Sequence, residues 1–554
     1  MNNAGSHRLF RPESASRSLG FYIPATAAAR AIGLARGILL ARLISEHEFG
    51  LFQITILTIN VLNPLCALGL NEGITRYVPM YETRGTLRPY LRRVVPFIAA
   101  VALLTSAILF AAAQPVGRLI YATVPASGGG PGADPEAVAT WTGLTRIAAG
   151  TTFGIVVYFL LLAILKGLRM FRAVSLLELL NNLLFTLLTI VVACSGRPTA
   201  GAMTACGLAS VVLLVPLFAF PMRRTIVDTP SRSESRASTS TTSTDEERAA
   251  GFIPAHDEID VPFLASQPSG EVTADATAPI VQLLRFSFWA AVTAVIWQAL
   301  QYYPMWFLQK THGPSVTAVF GGVRLITQAV VVGAVTVVAV VQTSVTKTWE
   351  AEGHAPADRR LRLAYKATSL LMLVGCVAFA AAAGPIMRLF PRSYGIGVAI
   401  VPLCLMFFLI SGHLTFLAIH FALIEKMRHL LWPWALGLVG NAVFGLLLVS
   451  PRIPPAQALV GAAWAGNLGI TAGLLVTVWL LYRERRPIDI GTIVLWAAIY
   501  VLALPVWTQL IGTALILLLA AASPAIFTRE EKHEIRQFVT ERAAILRPRG
   551  RTSE

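Results

Sequence analysis

Three arginines fall inside long apolar runs: Arg30 and Arg36 in the first run of the chain, Arg324 in the eighth. A guanidinium at membrane depth is costly, so it faces a partner or a wet cavity. Its planar fork binds phosphate oxygens two at a time. A cavity lined by these three would therefore grip an anionic lipid headgroup. The competing reading for each is snorkelling to the interface or a structural pair. Arg30 and Arg36 stand about 240° apart around a straight helix, so one ligand reaches both only if that helix bends.

Other polar residues sit where packing alone does not need them. Gln298, Gln301 and Tyr302 cluster in the seventh run, beside Trp297, Tyr303 and Trp306. Amides and aromatic rings suit sugars, and an outer aromatic belt is the plainer alternative. Asn60 lies just before Asn63-Pro64, where the proline bends the helix. Gln328 follows Arg324 by one turn on the same face. Glu178 and Glu425 are acids near membrane depth, each a candidate for a coupling proton or cation. Glu178 has a simpler alternative, an ion pair with Arg169 or Arg172. His413 and His420 share one helical face, and His413 joins the coupling candidates, with hydrogen-bonded packing as the alternative. No nucleophile motif, metal cluster or nucleotide loop accompanies these residues, so neither an enzyme nor a cofactor is expected. The stretch Ser127 to Gly132 lacks the Lys-Ser/Thr of a phosphate loop. The five cysteines lie in or beside apolar runs and read as packing residues.

The elements that carry these residues are read from composition. The 554 residues are 55% hydrophobic and 13% charged, against about 25% charged in soluble domains. The apolar residues come in about fourteen runs long enough to span a bilayer as helices. The net charge of +16 concentrates at alternate span ends, which argues for membrane anchoring rather than nucleic acid. Lys and Arg follow the even-numbered spans, so both termini are expected on the cytoplasmic side of a multi-pass inner-membrane protein.

An internal repeat groups the spans. Phe49-Gly50 returns as Phe320-Gly321, Pro115-Val-Gly-Arg-Leu119 as Pro385-Ile-Met-Arg-Leu389, and Asn182 as Asn441. The expected fold is all-α, with about 14 transmembrane helices in two pseudo-symmetric six-helix lobes plus a C-terminal pair. The boundaries are a cytoplasmic tail at 1–18, a lobe at 19–221 and a linker at 222–279, then a lobe at 280–482, a helix pair at 483–528 and a tail at 529–554. The linker is Ser/Thr-rich and acidic, too poor in apolar residues to fold alone. The last pair is either a short hairpin near Pro505 or one long tilted element. The final tail is either an amphipathic helix on the inner leaflet or frayed.

The stretch Leu39-Leu-Ala-Arg-Leu-Ile-Ser-Glu-His-Glu-Phe-Gly-Leu-Phe52, followed by Leu68-Gly-Leu-Asn-Glu-Gly-Ile-Thr-Arg-Tyr77, resembles the polysaccharide biosynthesis (O-antigen flippase, Wzx-type) family. That family belongs to the multidrug/oligosaccharidyl-lipid/polysaccharide exporter superfamily, and the resemblance runs from about 19 to 485. It implies a two-lobed alternating-access transporter. The cargo it implies is a polyprenyl-diphosphate-linked oligosaccharide, moved between leaflets for O-antigen, lipopolysaccharide or exopolysaccharide synthesis. It also implies membrane lipids and glycan-synthesis proteins as partners, with a proton or sodium ion for coupling. The alternatives are a lipid II flippase, a cation-coupled drug antiporter, and a membrane-embedded polymerase or ligase. The long acidic linker departs from the compact inter-lobe loop usual in the family.

Overall fold

The computed structural model describes residues 15–70, 73–74, 77–78, 81, 86–122, 135–168, 170–195, 198–228, 278–424, 426–484 and 488–546. Most of the expected linker, and Glu425, lie outside them. Every regular element among the described residues is a helix. Hydrocarbon offers backbone amides no partner, and a helix satisfies them within itself. Nine of these helices are long and apolar enough to cross a membrane.

The chain forms two compact units. The first takes residues 1–36, 54–122 and 130–298, and the second 37–53, 123–129 and 299–554. The first unit begins with α1 (Ala15–Leu43) up to Arg36 and with α2 (Glu46–Cys66) from Ile54. It continues through α3 (Leu87–Ala111), α4 (Ala113–Tyr121), α5 (Pro135–Gly167), α6 (Phe171–Cys194) and α7 (Ala200–Asp228). The element α8 (Ala278–Glu352) supplies its first leg to this unit, as far as Gln298. Within it, α5 is central and packs on α3, α4 and α7. Its Leu160 to Leu165 stretch is buried against Val94 and Ile98 of α3.

The second unit holds the rest of α8, then α9 (His354–Ala381), α10 (Ala383–Met387), α11 (Val401–Leu423), α12 (Leu431–Leu448) and α13 (Pro455–Arg483). It closes with α14 (Ile490–Ala498), extended by a 3₁₀ turn to Ala503, then α15 (Val506–Ala522) and α16 (Arg529–Leu546). The seventh and eighth apolar runs are the two legs of α8. They meet at Gly313, whose φ of 79° folds the chain back. A side chain at that φ would be strained, and glycine is not. Gly50 permits a close approach nearby: a Cβ there would stand 2.0 Å from the Pro314 carbonyl oxygen.

Two breaks recur at matching places. Helix α3 stops at Ala111 and α9 at Ala381, each followed after one residue by a short helix. Pro115 and Pro385 stand four residues after those ends. Each proline lacks the N–H for that carbonyl, and its ring crowds it. The chain re-enters the helix the same way in both, with Val116 N donating to Ala112 O and Ile386 N to Ala382 O, both at 3.1 Å.

Pro304 does the same to Leu300 within α8, and here a distant side chain compensates. The fully buried Asn441 of α12 donates from Nδ2 to the Leu300 carbonyl at 3.1 Å. Its sequence counterpart Asn182 instead donates to Glu178 O of its own helix at 2.9 Å. The last pair is a hairpin, not one tilted element. Leu504 and Pro505 are extended between its arms, and Gln509 Nε2 donates to Leu502 O at 3.1 Å and Leu504 O at 2.7 Å.

The tail is helical and its acids are taken up by protein. Thr528 and Glu531 form a capping box: Glu531 N donates to Thr528 Oγ1 at 3.2 Å, and Thr528 N to Glu531 Oε2 at 2.9 Å. The same carboxylate accepts from Lys366 Nζ of α9 at 3.0 and 3.2 Å. Lys366 is 0% exposed and also pairs with Asp489, the N-cap of α14. Arg359 bridges Glu530 at 3.3 Å and Glu534 at 2.5 Å. Lys532 Nζ donates to Ala521 O and Ser523 O at the end of α15, at 2.7 and 2.8 Å. The helix α16 is thus tied to α9, α14 and α15.

Removing one partner of a buried pair leaves an uncompensated charge, at several kcal/mol. Glu531→Ala is expected to cost about 2 to 4 kcal/mol, less than a full loss because Asp489 remains. Thermal unfolding in detergent measures it, and Lys366→Met/Glu531→Leu should be milder than Glu531→Ala alone. Burial opposes the charge on Asp489, but hydrogen bonds from Lys366 and Thr492 outweigh it and hold its carboxyl below the usual value. Its contribution is therefore complete above the ordinary aspartate pKa of about 3.9 and fades as pH falls through the lowered folded value. A melting temperature insensitive to Asp489→Asn at neutral pH would contradict this.

Candidate functional site

In the first unit, α1 carries Arg30 and Arg36. It runs as one helix to Leu43, and its proline, Pro24, lies before both arginines. The two therefore point apart, as their spacing requires. Arg30 is exposed, and its charge is felt by the Tyr158 hydroxyl of α5. Arg36 stacks its guanidinium 4.0 Å from the centre of the Phe185 ring on α6. Its Nη1 is buried with no hydrogen-bond partner. Asn182 is beside it: a Cβ on Gly33 would stand 3.7 Å from Asn182 Oδ1 and 4.0 Å from Arg36 Nη2.

Around them is a polar layer drawn from α1, α5, α6 and α7. Tyr158 lies near Asn181, whose Oδ1 accepts from Ser210 Oγ at 3.0 Å. Glu178 pairs with Lys166 at 3.2 Å; Arg169, one of the partners expected for it, lies outside the described residues. Tyr22 of α1 lies near the same lysine. Glu178 is thus a paired acid one turn from Asn182, in the neighbourhood of Arg30. Asn60 and Gln298, also of this unit, are half-buried.

In the second unit, Arg324 is 6% exposed and held by its own hairpin. Nη1 donates to Gln301 O at 2.5 Å and Nη2 to Gln301 Oε1 at 3.3 Å. Rings surround the guanidinium: Tyr302 at 4.7 Å, Phe408 at 5.0 Å and Phe407 at 5.5 Å. Arg324, Gln301 and Tyr302 do come together, in an arrangement where backbone and amide occupy the charge. A small cavity borders them, lined by Pro304, Cys404, Phe407 and Gly466. Gln328 is exposed one turn further on. His413 is buried and bonded to the Tyr365 hydroxyl through Nδ1.

Four residues escaped the sequence reading: Lys366, Tyr365, Asp358 and Trp496. Tyr365 accepts from Trp496 Nε1 at 2.5 Å while bonding His413. Asp358 pairs with His420 at 3.5 Å. One signal was available for Lys366: a lysine within the first turns of an apolar run, with a Thr-x-x-Glu capping pattern opening the final helix.

No family model matches the chain, and no curated protein sequence matches it. Solved structures do. An inward-facing multidrug resistance MATE family transporter of the MOP superfamily aligns at TM-score 0.59 and 16% identity, over 85% of this chain and 98% of that one. The lipid II flippase MurJ, in an inward closed conformation, aligns at 0.58 and 12%, over 95% and 99%. A MOP superfamily transporter from Pyrococcus furiosus, described as having a binding pocket of reverse polarity, aligns at 0.56 and 15%, over 88% and 99%. The chain shares the fold of these transporters and is a multi-pass membrane protein.

The Arg324 fork generates a stability prediction. Lysine keeps the charge but cannot bond Gln301 O and Oε1 together in one plane. Arg324→Lys is expected to lower stability by about 1 to 2 kcal/mol, read by thermal unfolding. Gln301→Leu should cost less, since the backbone acceptor remains. Equal melting temperatures for wild type and Arg324→Lys would count against the fork.

Proposed function

We propose that the chain is a flippase that moves polyprenyl-diphosphate-linked oligosaccharide across the cytoplasmic membrane by alternating access. The observation that carries this reading is Arg36, a guanidinium among apolar helices with a buried Nη1 left without a partner. Arg30, exposed on the same helix, adds a second positive charge. A diphosphate is the kind of ligand that such a fork holds; because the two arginines point apart, Arg36 supplies the fork and Arg30 adds charge nearby. The polar layer of Tyr158, Asn181 and Asn182 offers hydroxyl and amide groups to a glycan. Arg324 positions Gln301 and Tyr302 in this scheme rather than releasing its own charge to the cargo.

The need for a protein is physical. Each sugar hydroxyl and phosphate charge carried into hydrocarbon unsolvated costs several kcal/mol, whereas the polyprenyl tail is at home in lipid. A transporter working by alternating access would shield the headgroup and exchange the leaflet it faces. The likeness to a lipid II flippase supports a second reading, in which the same arginines take the diphosphate of lipid II. A drug antiporter for cations would need acids where this chain has arginines.

Reconstituted vesicles carrying labelled lipid-linked glycans, lipid II or a cationic dye separate these readings. Arg36→Ala is expected to slow glycan-lipid translocation at least about 10-fold, equivalent to about 1.4 kcal/mol, and Arg36→Lys less. Unchanged rates in a well-folded Arg30→Ala/Arg36→Ala double variant would remove the diphosphate assignment.

A further inference from the structure

Residues 358, 362, 365, 366 and 369 of α9 fall within about 100° of one another around the helix. All five are polar: Asp358, Arg362, Tyr365, Lys366 and Ser369. Asp358 and Tyr365 of this seam meet α11, where His413 and His420 share a face two turns apart. The pairing is antiparallel and regular. Asp358 Oδ1 meets His420 Nδ1 at 3.5 Å, and seven residues on along α9 the Tyr365 hydroxyl meets His413 Nδ1. The rungs are about 10 Å apart at 1.5 Å per residue. Between them lies a cavity of about 20 Å³, lined by Leu361, Arg362, Tyr365, Phe416, His420, Ile488 and Thr492. That is room for one water. Asp358, His420, Tyr365 and His413 are all buried.

We propose that these two rungs and the cavity between them form a proton-binding relay in the second unit, with Asp358–His420 as the acceptor pair. A proton from water adds to the His420 imidazole and gives an imidazolium paired with the Asp358 carboxylate. The cavity water and the Tyr365 hydroxyl connect that ring to His413, and the proton leaves to water by the reverse transfer. No other bond is made or broken.

The surrounding charges bear on the pair from every packed element. From α9, Arg362 borders the cavity and opposes a second positive charge. Lys366 is matched by Asp489 before α14 and by Glu531 of α16. Arg359 is matched by Glu530 and Glu534. Beyond α11, Lys426 and Glu484 neutralise one another at 2.5 Å, and His429 stacks on Phe421. Among the described residues, Asp358 is a carboxylate in direct reach of His420, at 3.5 Å. As the resting place of a coupling proton, the relay rests on the transport reading; as a proton site, it is tested without it.

The full chain in lipid nanodiscs, without added cargo, is titrated between about pH 5 and 8, the range in which histidines exchange protons. Proton uptake is read with a pH electrode. Emission of Trp496, taken as wild type minus Trp496→Phe, reports on the Tyr365 rung. His420→Gln should reduce uptake by about one proton per chain, and Asp358→Asn should move the remaining step to lower pH. Trp496 emission should change over the same range, in the wild type and not in His420→Gln. If His420→Gln does not fold, Asp358→Asn and the wild-type Trp496 signal decide the matter. Uptake and midpoint unchanged by both substitutions overturn the site. Loss of the proton with pH-independent Trp496 emission overturns the relay beyond the first rung. Because no transport is measured, these outcomes are independent of whether the chain flips a lipid.

Discussion

A polar group enclosed by apolar helices must find a partner inside the protein, and this chain meets that demand with side chains that reach across from other helices. Pro304 cannot donate to Leu300, and Asn441 does so instead. Arg324 crosses the α8 hairpin to the Gln301 carbonyl. Gln509 takes the two carbonyls at the end of the preceding arm. Each contact satisfies a group and at the same time fixes the spacing of two elements. In the second unit, hydrogen bonds therefore set much of what apolar packing alone would leave adjustable, since lipid tails compete equally well for an apolar helix face.

Charge obeys the same demand more strictly. Lys366 has two carboxylates, Glu178 has Lys166, and Arg324 has an amide, a carbonyl and three rings. Arg36 differs, with a ring on one side and an unsatisfied Nη1. A buried charged group with an unsatisfied donor is where a ligand has something to contribute. Each unit thus holds an arginine with a buried nitrogen that lacks a hydrogen-bond partner, Arg36 Nη1 in the first and Arg362 Nε in the second.

Much of the helical architecture was legible because it depends on local rules. Apolar run length marked the spans, and the paired strings around Pro115 and Pro385 marked breaks that those prolines impose four residues upstream. Pairings between distant residues were not legible. Asn182 and Asn441 match as letters, yet one bonds its own helix and the other a carbonyl 141 residues away. Glu178 lay near several cations in sequence, and its pairing with Lys166 across two helices was not readable there. Lys366 did not stand out because its partners arrive only with the last helices. The arginines were visible from the cost of placing them in lipid, but whether each charge was already occupied depended on tertiary neighbours.

The Lys366–Glu531 pair also constrains how the chain is made. Lysine and glutamate are 165 residues apart, and at synthesis rates of about 5–20 residues per second the lysine leaves the ribosome roughly ten seconds or more ahead. During that interval α9 enters the bilayer with an ammonium whose eventual partner does not yet exist. Until then the lysine must stay within reach of water or headgroup phosphates, so this end of α9 cannot settle to its final depth. Seating it is a late event in biogenesis, gated by the emergence of the C-terminus. A ribosome that stops before Glu531 would leave Lys366 with Asp489 alone, a partly matched charge by which quality control could tell that product from one carrying both carboxylates.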